Sequence, residues 1–174
     1  RLLMYGFPRR DWEIERTPIV PTELFGSSDE GTTSSTAYHS WTTRVQFNQD
    51  FWLAGALIKI AAPNSYALYL LDDSEVTLRR SPLLGKETPI TTSESMWFPF
   101  DRIRVFSGQY CRFQMRIQDS TAAARIRYSS SFYSGVLHTE IQSWLSGSNN
   151  NAHMVMRIGV SHPRGRRRVE TRYY

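Results

Sequence analysis

Two runs of alternating apolar and polar residues, 110–118 and 122–128, lie near the middle of the chain. Strict alternation is the pattern of a strand that buries one face and exposes the other. The runs are separated by the polar stretch 119–121, and a short polar turn between two strands favours a hairpin. The pattern therefore predicts an antiparallel strand pair within residues 110–128.

A register with Gln118 opposite Ala123 brings the apolar side chains of the two runs together. The same register places Arg116 opposite Arg125 on the outer side. Like charges directly across a strand pair are unfavourable, so this side is predicted to contact an anionic partner. The predicted interaction face consists of Arg112, Gln114, Arg116, Arg125 and Arg127.

Alternation of the same kind continues on both sides of this pair. Further strands are predicted at 41–47, 51–62, 65–71, 75–80, 96–98, 102–107 and 154–160. One short helix is predicted near residues 136–146, where the apolar residues follow a helical spacing. These residues are Leu137, Ile141, Trp144 and Leu145. About eight short strands with turns between them predict a mainly β fold, an antiparallel and jelly-roll-like β-sandwich with this one helix.

The sequence divides into three parts. Residues 1–40 are predicted to form an irregular arm, because prolines interrupt any regular element there and residues 26–36 have the composition of a linker. Residues 41–162 are predicted to form the β-sandwich domain, and residues 163–174 a basic tail. The chain begins at Arg1 rather than at a methionine, which suggests a processed product or a segment of a longer polypeptide.

Arginine supplies almost all of the positive charge. The 174 residues carry a net charge of +5, and Lys59 and Lys86 are the only lysines. Arginine suits carboxylates, phosphates and protein interfaces, although a GC-rich genome would also enrich it for no physical reason. The single cysteine, Cys111, excludes an internal disulfide framework, and its phase in the alternation points it into the core. No apolar run reaches the roughly 18 residues of a membrane span.

Aromatic residues make up 13% of the chain and favour strands. Trp41, Trp97 and Trp144 are predicted to lie in the core. Exposed aromatic rings stack on sugars, and the candidates for such glycan stacking are Trp52, Trp12 and Tyr38.

Catalytic and metal-binding patterns are weak. The four histidines are scattered, and no nucleophile motif, zinc spacing or phosphate-binding glycine pattern is present. Neither a cofactor nor enzymatic activity is therefore predicted. Asp72, Asp73 and Glu75 offer hard oxygen ligands for calcium, and a solvated turn explains them equally well.

The carboxy-terminal tail carries the second cluster of positive charge. Its predicted contact residues are Arg164, Arg166, Arg167, Arg168 and Arg172. Clustered arginines either dock in an acidic groove of a neighbouring subunit or make non-specific contacts with nucleic-acid phosphates.

Two segments carry a resemblance to known proteins. Residues 41–71 contain an aromatic strand, a glycine-containing strand and a Tyr/Leu strand, and Trp97–Tyr110 follows a pattern of Trp, Pro, an apolar run and Gly-x-Tyr. The chain thereby resembles jelly-roll and β-sandwich modules of bacteriophage tail, fibre and capsid-associated proteins, and of domains appended to extracellular proteins. The resemblance implies a module that binds or assembles without catalysis.

The combined features predict a structural subunit located in a virion. Its expected partners are further copies of itself, in a homo-oligomer, and other structural proteins. The alternative is an extracellular carbohydrate-binding module that recognises a host or a glycan.

Overall fold

The computed structural model describes residues 23–27, 31–33, 40–61, 64–86, 95–118 and 126–161. Within these ranges the chain forms strands and no helix, so none of them contains a helix that could cross a membrane. The strands are β1 (Glu23–Gly26), β2 (Thr32–Thr33), β3 (Ser40–Phe47), β4 (Phe51–Lys59), β5 (Asn64–Asp72), β6 (Thr77–Arg80), β7 (Leu84–Lys86), β8 (Ser95–Val105), β9 (Tyr110–Ile117), β10 (Arg127–Ser129), β11 (His138–Leu145), β12 (Ser148–Asn150), β13 (His153–Met154) and β14 (Met156–Val160).

The strands form three sheets. One is four-stranded, with the order β1-β14-β4-β8, and one is three-stranded, with the order β13-β10-β2. The largest is seven-stranded, with the order β12-β11-β3-β9-β5-β6 and with β7 also paired to β5. Every strand pairing is antiparallel. The predicted mainly β, antiparallel fold is therefore confirmed.

The hydrophobic core collects buried side chains from both the four-stranded and the seven-stranded sheets. Alternate residues of β3 and β9 enter it, so Val45 and Phe113 are fully buried. Phe98 and Ile58 enter the same hydrophobic cluster from the four-stranded sheet. Cys111 is also fully buried, as the alternation predicts, and burial raises the pKa of its thiol to about 12.

The predicted hairpin between the two central runs is wrong. Both edges of β9 are occupied, by β3 on one side and by β5 on the other. Arg116 therefore lies opposite Ser40 and Ala67, and β10 pairs with β13 and β2 in a different sheet. The alternation correctly identified the buried face of β9, but it carries no information about which strand pairs with which.

The predicted helix near residues 136–146 is also wrong, because this segment is β11. Its inward side chains are mainly polar, and His138, Glu140 and Ser143 are all buried. A β-bulge interrupts the register at Ile141, between Glu140 and Gln142. Because of the extra residue, the outward-facing Ile141 and Trp144 lie three positions apart in sequence, which is a helical spacing.

The segment predicted to be an irregular arm contains two strands. Glu23–Gly26 pairs with β14 at the edge of the four-stranded sheet, and Thr32–Thr33 pairs with β10. Proline and linker composition identified neither, because a short edge strand needs little apolar sequence of its own.

Gly55 marks a register shift in β4 and carries a φ of +145°. A Cβ atom placed there would lie 2.2 Å from the carbonyl oxygen of Phe98 on the neighbouring strand. Gly55→Ala is expected to lower the free energy of unfolding by about 1–3 kcal/mol through backbone strain. Urea denaturation measures this loss against Gly85→Ala, where the nearest atom would be 3.8 Å away. Equal stability of the two variants would contradict the close approach.

Candidate interaction surface

The seven-stranded sheet presents a layer of arginine, aromatic and polar side chains on the side away from the core. These residues alternate with the buried ones along β3, β5, β9 and β11, and the strand register places Arg80 of β6 beside them. We call this surface the arginine–aromatic face. Its members are Thr42, Arg44, Tyr69, Arg80, Tyr110, Arg112, Gln114, Arg116, Gln142 and Trp144.

Guanidinium groups cover the aromatic rings of this face. The Cζ atom of Arg44 lies 4.4 Å from the ring centroid of Tyr110, and that of Arg112 lies 4.7 Å from the ring of Trp144. Such contacts hold a cation in place while its N–H groups stay available for acceptors.

Tyr69 is approached from both neighbouring strands. Arg116 on β9 has its Cζ 4.0 Å from the Tyr69 ring centroid, and Arg80 on β6 has its Cζ 5.6 Å from it. Gln114 further fixes Arg116 by accepting a hydrogen bond of 2.5 Å from its Nε. Two cations are thus held around one ring.

The β3–β9 register puts Arg44 directly opposite Arg112, which is a cross-strand pair of like charges. The β5–β6 turn neutralises this pair within the chain. Asp73 accepts two hydrogen bonds from Arg44, at 2.7 and 2.8 Å, and Glu75 accepts one from Arg112 at 2.9 Å. The hydrogen bonds from Arg44 hold the pKa of Asp73 below its ordinary value.

Among the residues that the structure describes, no carboxylate compensates Arg80 or Arg116 in this way. Across the ranges that the structure describes, neither forms an ion pair with a carboxylate. A carboxylate of a partner would therefore form its most favourable ion pairs on this face with the two cations around Tyr69.

The predicted interaction residues are only partly brought together. Arg112, Gln114 and Arg116 share the arginine–aromatic face, but Arg127 lies on β10 in the three-stranded sheet and donates to the carbonyl of Gly31 at 3.0 Å. The prediction that Arg127 belongs to the same face is wrong. Arg125 lies outside the described residues, as do the tail residues Arg164, Arg166, Arg167, Arg168 and Arg172 and the glycan candidates Trp12 and Tyr38.

The tryptophans divide between core and surface. Trp41 is 1% exposed, which confirms its predicted core position. Trp97 and Trp144 are only half-buried, so the prediction that they belong to the core is wrong. Both lie on the outer faces of their sheets, where a tryptophan continues the alternation without entering the interior.

Trp52 is the one glycan candidate within the described residues. It is half-buried on the outer side of the four-stranded sheet, directly opposite Arg104. Arg102 and Arg104 hold their Cζ atoms 5.7 and 5.8 Å from its ring. The surroundings of this ring are thus cationic rather than open.

The acidic turn considered for calcium has other partners. One oxygen of Asp72 accepts hydrogen bonds from the backbone N–H groups of Ser74 and Val76, each at 2.9 Å, and thereby shapes the β5–β6 turn. Asp73 and Glu75 bind arginines, as described above. Among the described residues, no group of three or more His, Cys, Asp or Glu side chains is arranged to hold a metal ion.

A buried polar cluster was not predicted from the sequence. His138, Glu140 and His153 all have side chains that are 0% exposed. Nδ1 of His153 lies 2.5 Å from Oε2 of Glu140, and Nε2 of His138 lies 3.9 Å from Oε1 of the same carboxylate. The signal that could have identified two of these residues is their placement two apart on one strand, which the helix prediction obscured.

Comparison of the chain with protein-family models and with curated proteins finds no match.

Proposed function

We propose that this chain is a structural assembly subunit of a virion, built on a jelly-roll β-sandwich, and that the arginine–aromatic face contacts an acidic surface of a neighbouring subunit. The observation that carries the assembly role is the pair of guanidinium groups around Tyr69, which form no ion pair with a carboxylate of the described residues. The strand order supports the jelly-roll architecture.

A jelly roll has eight strands in two sheets and contains two Greek keys. We number its strands one to eight as β1, β3, β4, β5, β6, β8, β9 and β14. The four-stranded sheet then has the order one, eight, three, six, and the main part of the seven-stranded sheet has the order two, seven, four, five. Strands one and eight, two and seven, three and six, and four and five are each antiparallel neighbours. These pairings are those of one long antiparallel ribbon rolled into two sheets, a fold found in capsid proteins, lectins and cupins.

The chemistry of the face favours a protein partner that presents carboxylates. Arg44 and Arg112 already bind the acids of their own β5–β6 turn, whereas Arg80 and Arg116 lack such acids among the described residues. Aromatic and arginine side chains are also the residues enriched in protein interfaces. A homo-oligomer fits this chemistry, because the partner can be another copy of the chain.

The test is a double charge reversal, Arg80→Glu with Arg116→Glu. We expect self-association to weaken by about tenfold or more, because like charges then face each other across the contact. Sedimentation velocity of the full chain over a range of concentrations measures this change. The matched control is Arg104→Glu with Arg157→Glu, which makes the same charge change on the four-stranded sheet and should leave association unchanged.

Two results would overturn the proposal. One is a wild-type chain that stays monomeric alone and enters no particle with its structural partners. The other is equal loss of association in the two double variants, because a general charge effect rather than this face would then explain it.

The carbohydrate-binding alternative has weaker support. Lectins share the jelly-roll fold, and Trp52 lies on an outer face. However, guanidinium groups lie against the Trp52, Tyr69 and Trp144 rings, which hinders the stacking of a sugar. Selective binding on a glycan array that is lost in Trp52→Ala would favour the alternative.

A further inference from the structure

The cluster of His138, Glu140 and His153 has no part in the proposed assembly role. It lies beneath the seven-stranded sheet, where β11 meets β13 and the connection 130–137. The buried polar and charged residues of the described ranges include no other carboxylate and no lysine or arginine. Charge in this position is costly to bury, so its arrangement requires an explanation.

The hydrogen-bond partners of His153 determine its protonation. Its Nε2 lies 2.5 Å from the carbonyl oxygen of Ser131. Its Nδ1 lies 2.5 Å from Oε2 of Glu140 and 2.9 Å from the carbonyl oxygen of Met154. All three oxygens are acceptors, and a neutral imidazole has only one N–H. Protons on both nitrogens satisfy all three acceptors at once, so the geometry favours an imidazolium at His153 paired with the carboxylate of Glu140.

Glu140 is arranged as its counter-ion. Oε2 of Glu140 also accepts a hydrogen bond of 3.1 Å from the backbone N–H of Tyr133. The backbone N–H of Glu140 in turn donates to the carbonyl oxygen of Tyr133 at 2.8 Å. His153 thus connects β13 simultaneously to β11 and to the start of the connection 130–137.

We propose that the His153–Glu140 ion pair is a latch that fastens β13 and the connection 130–137 to the seven-stranded sheet, and that the latch opens when His153 loses its proton. Deprotonation would leave a ring nitrogen lone pair facing either Glu140 or the carbonyl of Ser131. An unpaired buried charge and an unmade hydrogen bond both destabilise the closed cluster, so they favour its local opening. The inference is independent of the proposed assembly role.

The neighbouring elements bring few other titratable groups to the pair. His138 stands beside Glu140 on β11, with its ring 4.9 Å from that of Tyr133. β3 places the uncharged Val45 next to Glu140, and the next strand in that row brings the thiol of Cys111. The ring of Phe132 stacks on His153 at 5.2 Å.

The direction of the pH response follows from the two partners. Burial alone would lower the pKa of His153, but Glu140 and the two carbonyls outweigh it and raise that pKa above its ordinary value of 6.5. Burial alone would raise the pKa of Glu140, but its imidazole neighbours outweigh it and hold that pKa below 4.5. The stabilisation is therefore lost as the pH rises through the raised pKa of His153. It is also lost as the pH falls through the lowered pKa of Glu140.

The first test is a ¹⁵N NMR pH titration of the imidazole nitrogens in the full chain. Both nitrogens of His153 should stay protonated to a higher pH than those of the histidines in the urea-unfolded chain. Loss of the His153 proton at or below the pH at which the unfolded histidines lose theirs would overturn the proposal. The measurement needs no substitution of the buried pair and so does not depend on a variant folding.

The second test is native hydrogen exchange of wild type as the pH is raised, corrected for the intrinsic exchange rate. Amide protection around Met154 and Val155 should fall by about tenfold for each pH unit above the titration of His153. Protection within β4 should stay constant, and His153→Gln should abolish the pH dependence at Met154 and Val155. Constant protection there, or an equal loss in β4, would contradict a local latch.

Discussion

Glu140→Ala is expected to lower the free energy of unfolding at pH 7 by about 3–5 kcal/mol, the usual cost of removing one partner from a buried ion pair. The substitution leaves the imidazolium of His153 without its counter-ion and the backbone N–H of Tyr133 without its acceptor. Solvent does not reach the imidazolium, because the side chain of His153 is 0% exposed. Urea denaturation of the full chain measures the loss, with the midpoint and the slope reported separately.

Ile141→Ala is the matched control for this prediction. Ile141 is the next residue on the same strand, but it is 37% exposed. Its truncation should cost about 1 kcal/mol or less. A Glu140→Ala loss no greater than that of the control would mean that the buried pair contributes little to stability, which would contradict a stabilising role for the pair.

Trp41→Ala is expected to cost about 3–5 kcal/mol in the free energy of unfolding, because it opens a large cavity in the core. Trp41 is 1% exposed on β3 and stacks on Tyr128 of β10, with the ring centroids 6.0 Å apart. It therefore joins the seven-stranded sheet to the three-stranded sheet. Chemical denaturation detects the loss, and the fluorescence of the remaining tryptophans reports the same transition.

Trp144→Ala provides the comparison on the neighbouring strand. Trp144 has the same chemistry, but it is half-buried on the arginine–aromatic face with Arg112 at 4.7 Å from its ring. Loss of an exposed cation–π contact costs about 0.5–1 kcal/mol. If the two variants were equally unstable, the assignment of Trp41 to the core and Trp144 to the surface would be incorrect.

The sequence predicted strands better than it predicted their partners. Alternation at Trp41, Val45 and Phe47 corresponds to the buried side of β3, and the same logic placed Cys111 inside β9. It failed at the hairpin, because pairing between β9 and its neighbours depends on contacts between residues that are far apart in sequence. Local turn residues at 119–121 gave a plausible but incorrect alternative.

The error at residues 136–146 has a different physical cause. Hydrophobic periodicity assumes that the buried face is apolar, whereas β11 buries His138, Glu140 and Ser143. The bulge at Ile141 then adds one residue to the period. Only knowledge that His153, Ser131 and Tyr133 complete the hydrogen bonds would have made a polar inward face acceptable, and that knowledge is three-dimensional.

The sequence predicted a cationic sheet face, but not which arginines form it. A face with guanidinium groups of like charge does exist, but the opposed pair is Arg44 with Arg112 rather than Arg116 with Arg125. The chain neutralises that pair with Asp73 and Glu75 of its own turn. On this face, the arginines without an ion pair to a described carboxylate are Arg80 and Arg116. Arg80 could be placed there only from the pairing of β6 with β5.

Cryo-electron microscopy of the native assembly is the most direct test of the assembly role. We expect Arg80 and Arg116, held around Tyr69, to lie within ion-pair distance of carboxylates on a neighbouring subunit. An assembly in which both guanidinium groups face bulk solvent would contradict it.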